Sequence, residues 1–111
     1  MIKVDCKEGV WFKFISYEFL TLARIFCRVY ERYDLVPTVT SACDSIHAGG
    51  EGRLSLHFNG LGWDWRTRDL KNPKEVADEI RSEAQAIDYH YDIVLEKDHI
   101  HSEYDAEKKR A

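Results

Sequence analysis

Five of the six glycines in this 111-residue chain, Gly49, Gly50, Gly52, Gly60 and Gly62, fall inside fourteen consecutive positions. Glycine reaches backbone conformations closed to other residues and loses the most freedom on ordering, so such a cluster marks a loop region. Residues 42–60 read as one long irregular stretch. A connection of that length in a small domain is functional or disordered. Regular structure must therefore form on either side of it, within one domain, because 111 residues suffice for one core and not two.

Before the loop, residues 15–33 read as a helix. Ile15, Phe19, Leu22, Ala23, Phe26, Val29, Tyr30 and Tyr33 recur at spacings of three and four. Glu18, Arg24, Arg28, Glu31 and Arg32 fill the opposite face, and Asp34-Leu35-Val36-Pro37 ends the run. Thr38-Val39-Thr40 is β-branched throughout and predicts a short strand. After the loop, residues 61–65 predict a strand. Asn72 can cap a second helix, Pro73 suits its first position, and Glu75 completes a capping-box-like pattern. Val76, Ile80, Ala84 and Ile87 form its apolar stripe. Residues 91–95 and 99–104 predict a hairpin about the turn Glu96-Lys97-Asp98. The charged residues 105–111 predict a frayed tail. Strands and helices without regular βαβ alternation predict an α+β domain, a small antiparallel sheet packed against two main helices.

Net charge is −4, from 16 basic and 20 acidic residues, which argues against nucleic acid as a partner. Lys13, Glu18, Arg24 and Arg28 interrupt the apolar stretches, and none approaches the roughly 20 residues of a membrane span. The run Met1 to Glu8 lacks the basic-then-apolar layout of a signal peptide, so cytoplasmic synthesis is expected. Cys6, Cys27 and Cys43 are odd in number and form no CxxC pair, which predicts reduced thiols and no cysteine-based zinc site.

Histidine and carboxylate carry the chemical signal. The informative groups are His57…Asp64 and His99-Ile100-His101. Imidazole nitrogen and carboxylate oxygen suit zinc, and three protein ligands leave a fourth position for water. A nearby carboxylate can take a proton from that water. His57 and Asp64 stand seven positions apart, so a straight strand would place them on opposite faces; Asn59-Gly60-Leu61-Gly62 supplies a bend. His99 and His101 share one face of their strand.

The run Ser55-Leu56-His57-Phe58-Asn59-Gly60-Leu61-Gly62-Trp63-Asp64 resembles the SxHxxGxAxD motif of the zinc D-Ala-D-Ala metallopeptidases. That group includes D-alanyl-D-alanine carboxypeptidases, phage L-alanyl-D-glutamate endopeptidases and the related hedgehog amino-terminal domain. Val39-Thr40-Ser41-Ala42 and Asp98-His99-Ile100-His101-Ser102-Glu103 resemble the segments that precede and close the motif. The likeness spans residues 36–104. It implies a hedgehog/DD-peptidase-like fold and one Zn2+ held by His57, Asp64 and His101. It implies Asp98 as catalytic base, three residues before His101. Ser55, Asp44 and His99 are candidates to face substrate, and Ser55 and Asp44 read as readily as loop structure. A rival register makes His99 the ligand and Glu96 the base. The implied reaction is attack of zinc-bound water on a peptide bond of a bacterial cell-wall stem peptide, by a phage or prophage product acting on the wall after release. Two departures stand out. Gly62 replaces the motif's Ala. The Arg expected after the Ser is missing from Cys43-Asp44-Ser45-Ile46-His47, leaving Arg53 or Arg66 as substitutes. That second departure admits an alternative, a zinc-stabilised binding module without catalysis. His47 reads as loop structure as readily as substrate contact, and Trp63 and Trp65 as core or as walls of the site.

Overall fold

The computed structural model describes residues 3–12, 15–42 and 61–109. The segment 43–60, and with it His57, Ser55, Asp44, His47 and Arg53, lies outside the described residues. The elements are β1 (Asp5–Cys6), α1 (Tyr17–Glu31), β2 (Thr38–Ser41), β3 (Gly62–Arg66), α2 (Pro73–Ile87), β4 (Tyr91–Leu95) and β5 (His99–Tyr104).

Each helix begins where a side chain can satisfy its free amides. Ser16 Oγ accepts from the Phe19 amide at 3.1 Å, and Asn72 Oδ1 accepts from the Glu75 amide at 3.3 Å. The first helix ends through Asp34, whose φ of 59° is left-handed; aspartate tolerates that region better than most residues. Its apolar stripe is shorter than the periodicity predicts. Ile15 precedes the cap and Tyr33 follows the last turn, so both are exposed. Ile87 closes α2 and is 60% exposed.

The sheet order is β1-β2-β3-β5-β4. The strands from β2 onward pair antiparallel, but β1 runs parallel to β2, so the sheet is mixed where a purely antiparallel one was expected. The cause is topological: β1 and β2 flank α1, and a helical crossover returns the chain in the same direction. β3, α2 and β4 likewise form a split β-α-β unit, with β5 filling the gap between its strands.

Both helices cover one face of this sheet. Trp63 and Trp65 project onto that face and are fully buried. The Phe26 and Trp65 rings stack with centroids 3.9 Å apart, and Phe19 meets the Trp63 ring edge-on at 5.0 Å. Both tryptophans are thus core and neither walls the opposite face. Ile80, Ala84, Ile93 and Ile100 complete the core from α2, β4 and β5. Ser102 is buried among them because its hydroxyl accepts from Trp65 Nε1 at 2.8 Å and donates to the Trp63 carbonyl at 2.9 Å. Charged residues tie the two helices along their outer edges, Arg28 to Glu83 and Arg32 to Glu79 and Glu83. Among the described residues no helix is long and apolar enough to cross a membrane.

Candidate functional site

Alternation along β3 and β5 sends Asp64, His99, His101 and Glu103 to the face away from the helices, while Trp63, Trp65, Ile100 and Ser102 turn inward. Register then sets the neighbours. Asp64 lies directly across from His101, and Gly62 across from Glu103. A glycine at 62 puts no side chain beside that acid.

The side chains form one continuous row. Asp98 Oδ1 is 2.7 Å from His99 Nδ1. His99 Nε2 lies 3.6 Å from Asp64 Oδ1. The same Asp64 oxygen is 2.9 Å from His101 Nδ1, and His101 Nε2 is 2.8 Å from Glu103 Oε1. Carboxylate and imidazole alternate throughout. Asp64 is the buried member, with its side chain 10% exposed.

This row sets the charge states. The bond to Asp64, then the bond to Glu103, lifts His101 from the ordinary 6.5 to about 9, against the opposing effect of burial. At neutral pH His101 is therefore an imidazolium, and its charge is what makes a buried carboxylate at 64 tolerable. Hydrogen bonding from His99, then its charge, holds Asp98 below the usual carboxylate range.

Of the residues singled out in the sequence, the structure brings together Asp64, His99 and His101. Asp98 joins them only through His99, with its own side chain 85% exposed. Glu96 is exposed at the turn, where its amide donates to the His99 carbonyl at 2.8 Å. His57, Ser55 and Asp44 lie outside the described residues. His90, which has no place in the motif, is structural: it bonds Asp88 and packs on Tyr89 and Tyr104.

Asp64 and His101 are donor types that zinc takes, but both His101 nitrogens are engaged by carboxylates here, so ligation would require His101 to give up its proton and one of those bonds. Two ligands about 2.1 Å from a tetrahedral zinc stand about 3.4 Å apart. The 3.6 Å from Asp64 to His99 is close to that spacing, whereas the 2.9 Å from Asp64 to His101 is a hydrogen-bond distance that a shared metal would have to open. Among the described residues, the cluster of three carboxylate or imidazole groups close enough together to share a metal ion is a different one. Asp92, Glu103 and Asp105 each place one ligand atom within 4.8 Å of the others, an arrangement that could hold a metal ion. An all-oxygen set suits hard cations more than zinc. Two cationic groups already serve it, Lys108 Nζ at 2.6 Å from Asp92 and the His101 imidazolium on Glu103. Sequence reasoning missed this cluster because Asp92 and Glu103 meet only through the β4–β5 register. The parity of positions 101 and 103 was the available signal for the His101–Glu103 bond.

No family model matches the chain, and no curated protein matches it.

Proposed function

We propose that this chain is a zinc-dependent hydrolase with a hedgehog/DD-peptidase-like fold that cleaves a peptide bond in bacterial cell-wall stem peptides. One observation carries the reading. Asp64 and His101, on neighbouring strands and far apart in sequence, set an oxygen and a nitrogen donor 2.9 Å apart on the face free of both helices. Asp64, His101 and His57 would hold the metal. Zinc would supply a Lewis acid and an acidified water there.

The chain's own groups do the rest. Asp98 Oδ1 holds His99 at Nδ1 while Nε2 of the same ring faces Asp64, so the expected base is connected to the centre through the His99 ring. Asp98 would be the base, its carboxylate drawing the proton from the centre by way of His99. Glu103 Oε1 fixes the His101 ring from its other nitrogen, as outer partners of ligating histidines commonly do.

The second reading, a zinc-stabilised binding module, gains support from the exposure of Asp98 and its engagement by His99. Elemental analysis of the wild type beside His57→Ala and His101→Ala tests the metal. Assay of peptidoglycan or short D-amino-acid peptides, with and without chelator, separates the readings. The hydrolase predicts about one zinc per chain, turnover abolished by chelator, and loss of activity in Asp98→Ala. Zinc without turnover selects the binding module, and a zinc-free wild type ends both.

A further inference from the structure

The sheet ends on β4, and an edge strand offers backbone groups that can pair with another chain. The opposite edge strand, β1, is two residues long and offers little. β4 runs over five residues, Tyr91–Leu95, with Asp92 its only charge. It carries none of the prolines or lysines that commonly blunt such an edge.

The ladder decides which backbone groups face outward. Asp105 donates its amide to the His90 carbonyl at 3.0 Å, and Glu96 donates its amide to the His99 carbonyl at 2.8 Å. Hydrogen-bonded pairs alternate along an antiparallel ladder. Asp92 and Val94 therefore bond to β5, while Tyr91, Ile93 and Leu95 direct their amides and carbonyls away from the sheet. Side chains of α2 reach two of these carbonyls. Gln85 Nε2 donates to the Tyr91 carbonyl at 3.1 Å, and Arg81 Nε donates to the Ile93 carbonyl at 3.0 Å. The spacings match: four residues advance about 6 Å along a helix, and two advance about 6.8 Å along a strand. Arg81 is itself held in place. Its Nη1 lies 2.8 Å from Asp78 Oδ1, and Lys74 meets the other oxygen of that carboxylate at 2.7 Å. Arg81 and Gln85 thus occupy the acceptors that an incoming strand would use.

The strand's own symmetry indicates which partner they exclude. Antiparallel pairing of β4 with a second copy, centred on Ile93, sets Tyr91 across from Leu95 and Asp92 across from Val94. No like charges meet in that register, and directly opposed like charges are what would oppose it. Val94, 46% exposed in the single chain, would gain a neighbour.

We propose that the outer edge of β4 is a strand-pairing surface for a second copy of this chain, and that Arg81 and Gln85 keep it shut. Sedimentation and amide hydrogen exchange test this. Wild type should sediment as a monomer at every concentration. Arg81→Ala combined with Gln85→Ala should self-associate as concentration rises, and exchange at the Ile93 and Leu95 amides should slow by about tenfold or more where the dimer dominates. Arg81→Met with Gln85→Met keeps the apolar stems on the core and should associate in the same way. Register supplies the control. Adding Val94→Asp sets acids opposite each other and should restore the monomer, whereas adding Val94→Lys faces Asp92 and should preserve the dimer. A folded double variant that stays monomeric, a wild type that already pairs through these amides, or association unchanged by Val94→Asp overturns the proposal.

Discussion

At the scale of single residues, His101 does two jobs that pull on the same proton. Asp64 and Glu103 hold its imidazolium from both nitrogens, and the metal reading requires one of those nitrogens bare. In metal-free protein the folded state binds this proton more strongly than the unfolded chain does. The resulting stabilisation is complete below the ordinary 6.5 and fades as pH rises through about 9. Chelator-treated protein should therefore lose stability across that window. In Asp64→Asn the imidazole titration followed by NMR should move down toward the ordinary value, and an unchanged titration would show that Asp64 is not the cause. Ser102 is the matching case on the other face. Its hydroxyl joins the Trp65 indole to the Trp63 carbonyl inside the core. Ser102→Ala leaves a buried N–H without its acceptor and should cost about 1–3 kcal/mol in denaturant unfolding. A neutral result would mean that the indole finds another partner.

At the scale of elements, local chemistry decides where helices start. Asn72→Ala removes the acceptor of the Glu75 amide and should lower stability by about 1 kcal/mol, read from the urea midpoint at constant slope. Equal midpoints would show that Pro73 and Glu75 hold this helix start without the cap. The same locality explains what the sequence made legible. Asn72-Pro73 located α2, a repeat of three and four located α1, and the turn Glu96-Lys97-Asp98 located β5, with His99 and His101 on one face. Each signal lies within a few residues of its consequence. The two-residue β1 carries no periodicity, and its parallel pairing with β2 depends on the crossover through α1. The strand order, with β5 inserted between β3 and β4, is a long-range result that no local pattern encodes. The site divides in the same way. That His99 and His101 share a face follows from parity, whereas the bond from His101 to Asp64 needed the β3–β5 register.

At the scale of the whole molecule, the sheet separates two kinds of work. One face packs aromatic rings against two helices and supplies the hydrophobic stabilisation; the other carries a row of carboxylates and imidazoles whose net worth depends on what they hold. The two should respond independently. Phe26→Ala opens a cavity beneath Trp65 and should cost about 3–5 kcal/mol. It should leave zinc stoichiometry intact, because the stacking lies on the helix side of the sheet. Metal removal should act on the other face alone. A ligand that binds only the folded state at a hundred times its Kd adds about 2.7 kcal/mol. For a domain of about 100 residues, each kcal/mol moves the melting temperature by roughly 4–8 °C, so chelation should lower it by about 10 °C or more. His101→Ala should abolish that response, since it removes the nitrogen beside Asp64. Phe26→Ala should melt lower yet keep the full chelator shift. Equal melting of wild type with and without chelator would refute a metal at this face, and a chelator shift that survives in His101→Ala would move the metal to other residues, with the Asp92–Glu103–Asp105 cluster the next to vary.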